Sequence, residues 1–205
     1  MNRRELLRQI ALLTGGVVIG GEVFLSGCKS GPATEAGFTE SNIALLDEIG
    51  ETILPATSTP GAKAAKIGEF MKIIVNDCYE EKDQKIFTAG ISKLEEACKK
   101  SQGKPFMDCT PEQRHAFIVE LDKEAKEHQK RKSELEKQTD NANADKESDE
   151  RQTHYFTMMK QLTLWGYFTS KEGMTQALNY QPVPGKFIGV TEYKKGDKQI
   201  VGLGG

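Results

Sequence analysis

The chain has 205 residues, and its 28 Lys and Arg residues nearly balance 30 Asp and Glu residues, for a formal net charge of −2. This balance argues against a dedicated nucleic-acid binder, because neutralising phosphates requires a surplus of basic side chains. The length suggests one domain with a small appendage. No apolar run reaches the roughly 18 residues that predict an ordinary spanning helix, and four cysteines are too few for a disulfide scaffold.

The first 27 residues have the pattern of an export signal. A basic stretch with Arg3 and Arg4 precedes a short apolar segment, and Leu-Ser-Gly-Cys follows, ending at Cys28. This order is typical of a secretory signal. The Arg pair resembles a twin-arginine signal, with a plain secretory signal as the alternative, and the last four residues resemble a bacterial lipobox. We therefore expect twin-arginine export, acylation of Cys28 and a lipid-anchored protein on the periplasmic side of a bacterial membrane.

A helical domain is predicted over residues 39–187, after a small, polar tether over residues 28–38. The first helix has apolar residues at three- and four-residue spacing from Asn42 onward, with Thr39 or Ser41 as its cap. Pro55 stops this helix and begins a turn-rich loop that ends at Gly61.

Three more helices are predicted before the middle of the chain. The second runs from Ala62 or Lys66 to Tyr79, and the third from about Lys82 to Lys100. The fourth begins at Thr110-Pro111-Glu112-Gln113, which combines a Thr cap, Pro at the first helical position and Gln three residues after the cap. The residues of the second helix that we expect to face inward are Ile67, Phe70, Ile73, Ile74 and Cys78.

A charged insertion over residues 122–150 separates these helices from an aromatic one. Charged and amide side chains dominate the insertion, which predicts a solvated helical extension that fades into a disordered loop. A coiled coil is the alternative, although the regular apolar residues of one are absent. The aromatic segment from Thr153 to Phe168 is apolar around much of its circumference and predicts a central helix. Ser170 can cap a short helix, and residues 188–205 form an irregular tail. The fold is therefore predicted to be mainly α, with five to six helices and an irregular C-terminal arm.

The sequence contains no catalytic, nucleotide-binding or haem-attachment motif. His115, His128 and His154 do not show metal-ligand spacing, and His128 is expected to be solvated. Once Cys28 is acylated, Cys78, Cys98 and Cys109 remain. They allow one bridge plus a free thiol, a bond to another chain, or buried free thiols. Cys98 with Cys109 is one pairing, and Cys78 with Cys98 is another.

Three segments in order resemble a known family. They are Pro-Ala-Thr-Ser-Thr-Pro-Gly at residues 55–61, Leu-Thr-Leu-Trp-Gly-Tyr-Phe-Thr-Ser at residues 162–170, and Pro-Val-Pro-Gly at residues 182–185. The chain is similar to the gluconate 2-dehydrogenase subunit 3 family, the small subunits of membrane-associated flavin dehydrogenases. The likeness covers most of residues 42–187 apart from the charged insertion.

This resemblance implies a non-catalytic accessory subunit. In the family, a large subunit of the glucose-methanol-choline type holds FAD and oxidises a sugar or sugar acid, and a cytochrome c subunit is an optional further partner. The small subunit holds no cofactor, supports maturation of the large one and carries the export signal for both. The competing hypothesis is a stand-alone lipoprotein that binds a ligand or another envelope protein.

Prolines and aromatic residues in the three segments suggest a contact surface for the large subunit. Prolines lower the entropy cost of binding, and Trp and Tyr are enriched at interaction hot spots. The alternative is that Trp165, Tyr167 and Phe168 fill the domain's own core. The candidate interface residues are Pro55, Pro60, Gly61, Trp165, Gly166, Tyr167, Phe168, Tyr180, Pro182, Pro184 and Gly185.

Overall fold

The computed structural model describes residues 38–138, 152–183, 185, 190, 192 and 194–202. Within these ranges lie five α-helices: α1 Glu40–Ile53, α2 Ile67–Cys78, α3 Glu81–Gln102, α4 Pro111–Gln138 and α5 Tyr155–Thr169. Short 3₁₀ turns occupy Ala62–Ala65 and Phe106–Asp108, and a π-helical turn occupies Gly173–Ala177. Strands β1 (Asn179–Tyr180) and β2 (Ile200–Val201) pair in parallel. The predicted mainly α fold is confirmed.

Local sequence sets the helix ends. Thr39 caps α1, because its Oγ1 accepts a hydrogen bond from the Asn42 amide at 3.2 Å. Thr110 and Gln113 form the predicted capping box of α4, with reciprocal side-chain-to-amide bonds of 3.0 and 3.4 Å. Gly103 ends α3 with φ = 75°, a left-handed conformation that glycine adopts without steric cost.

Helix α5 is central, as its apolar circumference predicts. It packs against α1, α2, α3 and α4, and Phe156, Met159 and Leu162 are almost fully buried. The Thr163 hydroxyl, which is also buried, donates to the Met159 carbonyl at 2.8 Å, so its polar group is satisfied inside the core.

The inward face predicted for α2 is partly wrong. Met71 and Val75 are buried together with Ile67, whereas Ile73 is 55% exposed and Cys78 is exposed as well. Residues 67, 71 and 75 are four apart and form a single stripe on one face of the helix. Helix α2 has more apolar residues than one stripe holds, so the residues on the neighbouring stripe stay at the surface.

Helix α4 continues through Asp122 to Gln138, into the first part of the charged segment. Asp122 pairs with Lys160 of α5 at 2.6 Å, and Ala125 is buried one turn later. His128, expected to be solvated, is instead half-buried, and its ring lies 5.5 Å from that of His154. Its position three residues after Ala125 turns it toward the start of α5. Residues 139–150 of the predicted insertion lie outside the described residues.

Several predictions concern the N-terminus. The export signal over residues 1–27, with Arg3 and Arg4, and the acylation site Cys28 lie outside the described residues. Phe38, at the end of the predicted tether, is buried, and its ring lies 5.9 Å from that of Phe87. Of the helices that the structure describes, none combines the length and the apolar character needed to cross a bilayer.

Candidate partner interface

The loop between α1 and α2 is attached to α1 by hydrogen bonds from its backbone amides. The Glu51 carboxylate of α1 accepts hydrogen bonds from the amides of Ala56 and Lys63, both at 2.9 Å. A Cβ atom at Gly61 would overlap this carboxylate, so glycine is the residue that lets the loop close over Glu51. The loop is therefore a fixed feature of the surface.

Tyr167 joins this loop to α5. Its hydroxyl donates to the Pro60 carbonyl at 2.6 Å, and its side chain is only 4% exposed. Two segments that lie more than 100 positions apart in the sequence thus meet at one hydrogen bond. For Tyr167 the core alternative is correct, because its ring is buried and its polar atom is used inside the domain.

Gly166 also serves the fold, since it lies at the crossing of α5 with α2. A Cβ atom there would lie 2.6 Å from Cδ1 of Phe70 and 3.1 Å from Cδ1 of Ile67. These distances are shorter than van der Waals contact, so the absence of a side chain permits the close approach of the two helices. Gly166 is buried and offers no surface to a partner.

Trp165 and Phe168 belong to the surface. Trp165 is 53% exposed and Phe168 is 39% exposed. They are three positions apart on α5, so they lie on the same side of the helix. The Trp165 ring contacts the half-exposed ring of Phe70 edge to face, with the centroids 5.4 Å apart. Ile73, which is exposed, lies three positions after Phe70 and therefore on the same side of α2.

We call Phe70, Ile73, Trp165 and Phe168 the apolar patch. None of these four side chains titrates, so the patch can bind through burial of apolar and aromatic surface but cannot transfer a proton or attack a substrate. Sequence reasoning found Trp165 and Phe168 but placed Phe70 and Ile73 in the core. The excess of apolar residues in α2 over those that one face can bury was the clue to both.

The C-terminal arm continues from the end of α5. The Ser170 hydroxyl accepts a hydrogen bond from the Gly173 amide at 3.0 Å and starts the predicted short helical segment. Beyond it, Tyr180 of β1 is half-buried and pairs with Val201 of β2, while Pro182 is exposed. Gly185 is exposed with φ = 75°.

The remaining candidate interface residues also include both exposed and buried positions. Pro55 is exposed, Pro60 is half-buried and Gly61 is buried. Pro184 lies outside the described residues. The candidate set is thus a mixture of residues that build the domain and residues that a partner can reach.

An ionic cluster behind the loop holds α1, the loop and α4 together. Glu48 accepts a hydrogen bond from Nζ of Lys63 at 2.6 Å and pairs with the guanidinium of Arg114. Burial alone would raise the pKa of Glu48, but Lys63 and Arg114 outweigh it and hold the pKa below its usual value. Burial raises the pKa of neighbouring Asp47, against the opposing effect of its bond from the Gly68 amide.

The three histidines lie in different surroundings. Nδ1 of His154 caps α5 by accepting a hydrogen bond from the Phe156 amide at 3.3 Å, and Nε2 lies 3.8 Å from Glu124. His115 is exposed on the first turns of α4. Over the described residues, no group of three or more His, Cys, Asp or Glu side chains has a metal-binding arrangement.

Comparison with known proteins gives one match. The family model described as gluconate 2-dehydrogenase subunit 3 matches residues 40–185, well over half of the chain. The chain belongs to this family. The match begins with α1 and ends with the Pro-Val-Pro-Gly segment, so it includes all three segments that carried the resemblance. No curated protein and no solved structure matches the chain.

Membership of this family bears on the role of the chain. The family name describes a subunit of gluconate 2-dehydrogenase, which implies an accessory role and association with the other subunits of such a dehydrogenase. An exposed apolar patch is the kind of surface on which a domain of this kind can meet another subunit.

Proposed function

We propose that this chain is the non-catalytic small subunit of a periplasmic FAD-dependent dehydrogenase of the glucose-methanol-choline type that oxidises a sugar or sugar acid. It exports, matures and stabilises the large FAD subunit and anchors it at the membrane. The observation that carries this proposal is the family match over residues 40–185. A twin-arginine-like signal on a chain without a cofactor motif supports it, because that route carries folded proteins, and the chain can bring a cofactor-loaded partner with it.

The apolar patch is the proposed contact with the large subunit. Large aromatic side chains that lose their exposed surface on binding contribute the largest shares of interface energy. The patch is built on two packed helices and is therefore preorganised, which reduces the entropy that is lost on association. Pro55 and Pro182 are exposed, so a partner can also reach the loop and the arm that carry them.

Co-purification from native membranes tests the assignment. A tagged chain should bring down a flavin-containing large subunit in detergent extracts, and deletion of its gene should abolish membrane-bound dehydrogenase activity. Recovery of the chain alone, with every flavoprotein dehydrogenase of the envelope unaffected by the deletion, would contradict the proposal. It would instead favour the stand-alone lipoprotein.

Substitutions in the patch test the location of the contact. Trp165→Ala should weaken binding of the large subunit about 30-fold, the effect of losing a hot spot of roughly 2 kcal/mol. Ile73→Ala should weaken it less. Val119→Ala is the matched control, because Val119 is also an exposed aliphatic residue of a helix, on α4 outside the patch. Equal binding by all three variants would place the contact elsewhere on the domain.

Two N-terminal variants separate export from anchoring. Replacing Arg3 and Arg4 with lysines should leave both this chain and its partner in the cytoplasm, and normal export of the partner would refute the carrier role. Cys28→Ala should leave folding intact and release the mature complex from membranes. Continued membrane retention of this variant would identify the partner as the anchor.

A further inference from the structure

Two buried thiols lie side by side where α3 gives way to α4. Cys98 is on the penultimate turn of α3, and Cys109 directly precedes the capping residue of α4. Their side chains are 0% and 5% exposed, and their sulfur atoms are 3.7 Å apart. Both are free thiols in this structure. Cys78 is exposed at the end of α2, so the two pairings that the sequence allowed are no longer equivalent.

The chain between the two cysteines is ordered by its own hydrogen bonds. Gly103 closes α3 with a bond from its amide to the Lys99 carbonyl, and Phe106–Asp108 forms a 3₁₀ turn. Arg114 of α4 donates to the carbonyls of Phe106 and Met107 at 3.0 and 2.6 Å. These contacts hold the backbone on both sides of the sulfur pair, so the two thiols remain neighbours.

The separation of the two sulfur atoms is short enough for a disulfide to form after a small movement. A bonded pair has its sulfurs about 2.05 Å apart, so each Sγ must move by less than about 1 Å for the observed contact to become a bond. A shift of this size is on the scale of a small side-chain rotation. The Sγ–H of Cys109 donates to the Pro105 carbonyl at 3.4 Å, and oxidation would remove this weak bond together with the S–H···S contact between the two thiols.

We propose that Cys98 and Cys109 are a redox pair that forms an intrachain disulfide and clamps the end of α3 to the start of α4. The two S–H bonds break and one S–S bond forms, while two electrons and two protons pass to a disulfide donor, which is reduced to two thiols. Cys78 stays free. The proposed disulfide depends on residues of this domain alone. It rests on the proposed export only because export determines the compartment, and therefore the redox conditions, in which the bond forms.

Burial determines when the bond can form. It is the main reason that the pKa of Cys98 is raised to about 12, and the neighbouring Cys109 thiol adds to this effect. The attacking species in disulfide exchange is the thiolate, which is scarce at such a pKa. Oxidation in the folded domain is therefore slow, and oxidation during folding or local opening is fast.

Refolding in a redox buffer tests the pair. The full chain with Cys28→Ala is unfolded in urea and refolded with a mixture of reduced and oxidised glutathione, and free thiols are then alkylated. We expect one free thiol, at Cys78, and a proteolytic fragment in which Cys98 is linked to Cys109. Three alkylated cysteines, or a bridge that includes Cys78, would overturn the proposal.

Thermal unfolding tests the clamp. The cysteines are 11 positions apart, and closing a loop of about this length should raise Tm by about 6–12 °C over the reduced form. The matched control is Cys78→Ala, which should keep this difference. A variant with Cys98→Ala and Cys109→Ala should show the same Tm with and without reductant. A mapped bridge without a Tm difference would refute the clamp while leaving the proposed accessory role untouched.

Discussion

The two halves of α5 differ in how much of the helix circumference is covered. The first half buries Phe156 and Met159 completely, and none of its aromatic residues is exposed. The second half also buries Tyr167, but it leaves Trp165 and Phe168 exposed. An aromatic residue in this helix is therefore core or surface according to whether neighbours cover its side of the helix, and its chemical type does not distinguish the two.

The difference comes from the neighbours of each half. Tyr155 covers Gly90 of α3 and Lys160 reaches Asp122 of α4, so the first half has helices on several sides. The second half packs on α2 through Gly166 and on the 55–61 loop through Tyr167, whereas the side chains of Trp165 and Phe168 are left exposed. Apolar content alone therefore does not separate a core from an interface.

Two phenylalanines of α5 give the largest expected contrast. Phe156→Ala should lower the free energy of unfolding by about 3–5 kcal/mol, because it leaves a cavity in a fully buried site. Phe168→Ala should lower it by less than about 1 kcal/mol, because the ring is already partly solvated. Urea denaturation of both variants measures the difference. Equal losses would mean that the Phe168 ring is as much a part of the core as the Phe156 ring.

The two glycines at the helix crossings give an intermediate contrast. Gly90→Ala places a Cβ against Cβ and Cγ of Tyr155, atoms close to the backbone of α5, and should cost about 1–3 kcal/mol. Gly166→Ala places a Cβ against the outer atoms of the half-buried Phe70 ring and the end of the Ile67 side chain, all far from the backbone of α2. The gain of roughly 1 kcal/mol in helix propensity should offset much of that cost.

Chemical denaturation of the two glycine variants measures their free energies of unfolding. A binding assay measures their affinity for the large subunit. Gly166→Ala should disturb the patch through Phe70 and weaken binding, while Gly90→Ala should act on stability. The contrast fails if Gly166→Ala is the more destabilising of the two.

The pH dependence of stability gives the smallest effect and concerns the buried start of α5. Burial is the main reason that the pKa of His154 lies below its ordinary value of 6.5, with Glu124 opposing it and His128 and Lys93 adding to it. The unfolded chain therefore takes up this proton at a higher pH than the folded one does. Stability should fall as the pH drops from about 6.5 toward the lowered folded pKa.

His154→Asn isolates this effect. Asparagine keeps an acceptor at the N-cap of α5 and removes the titrating ring. Unfolding measured between pH 7 and pH 5 should show a flatter dependence for the variant than for the wild type. Identical slopes would show that His154 does not contribute.

Local patterns predicted the helices because their causes are local. Thr39, the Thr110 capping box and Gly103 act on backbone groups within a few residues, so the sequence shows them directly. The face of α2 was predicted less well. Its burial depends on where α1 and α5 lie, which the spacing within α2 does not contain, and Ile73 was therefore placed in the core by mistake.

The candidate interface shows the same limit. The three segments were sufficient to indicate the family, and the family model confirms it. They could not show that Tyr167, Gly166 and Gly61 contribute to packing inside the domain. Each of these residues contacts a residue of another segment, which the chain brings close only when it folds. Phe70 and Ile73 of the patch were missed because they lie on α2, outside the three segments.

By itself, the sequence determined the helical class, the order of the helices, the caps of α1 and α4, and the family. Each of these follows from periodicity, capping chemistry or a run of consecutive residues. Only the tertiary structure decided which aromatic residues are covered, which glycines permit helix crossings and which cysteines meet. Burial and sulfur-to-sulfur contact depend on distances between segments, and those distances exist only once the helices have packed.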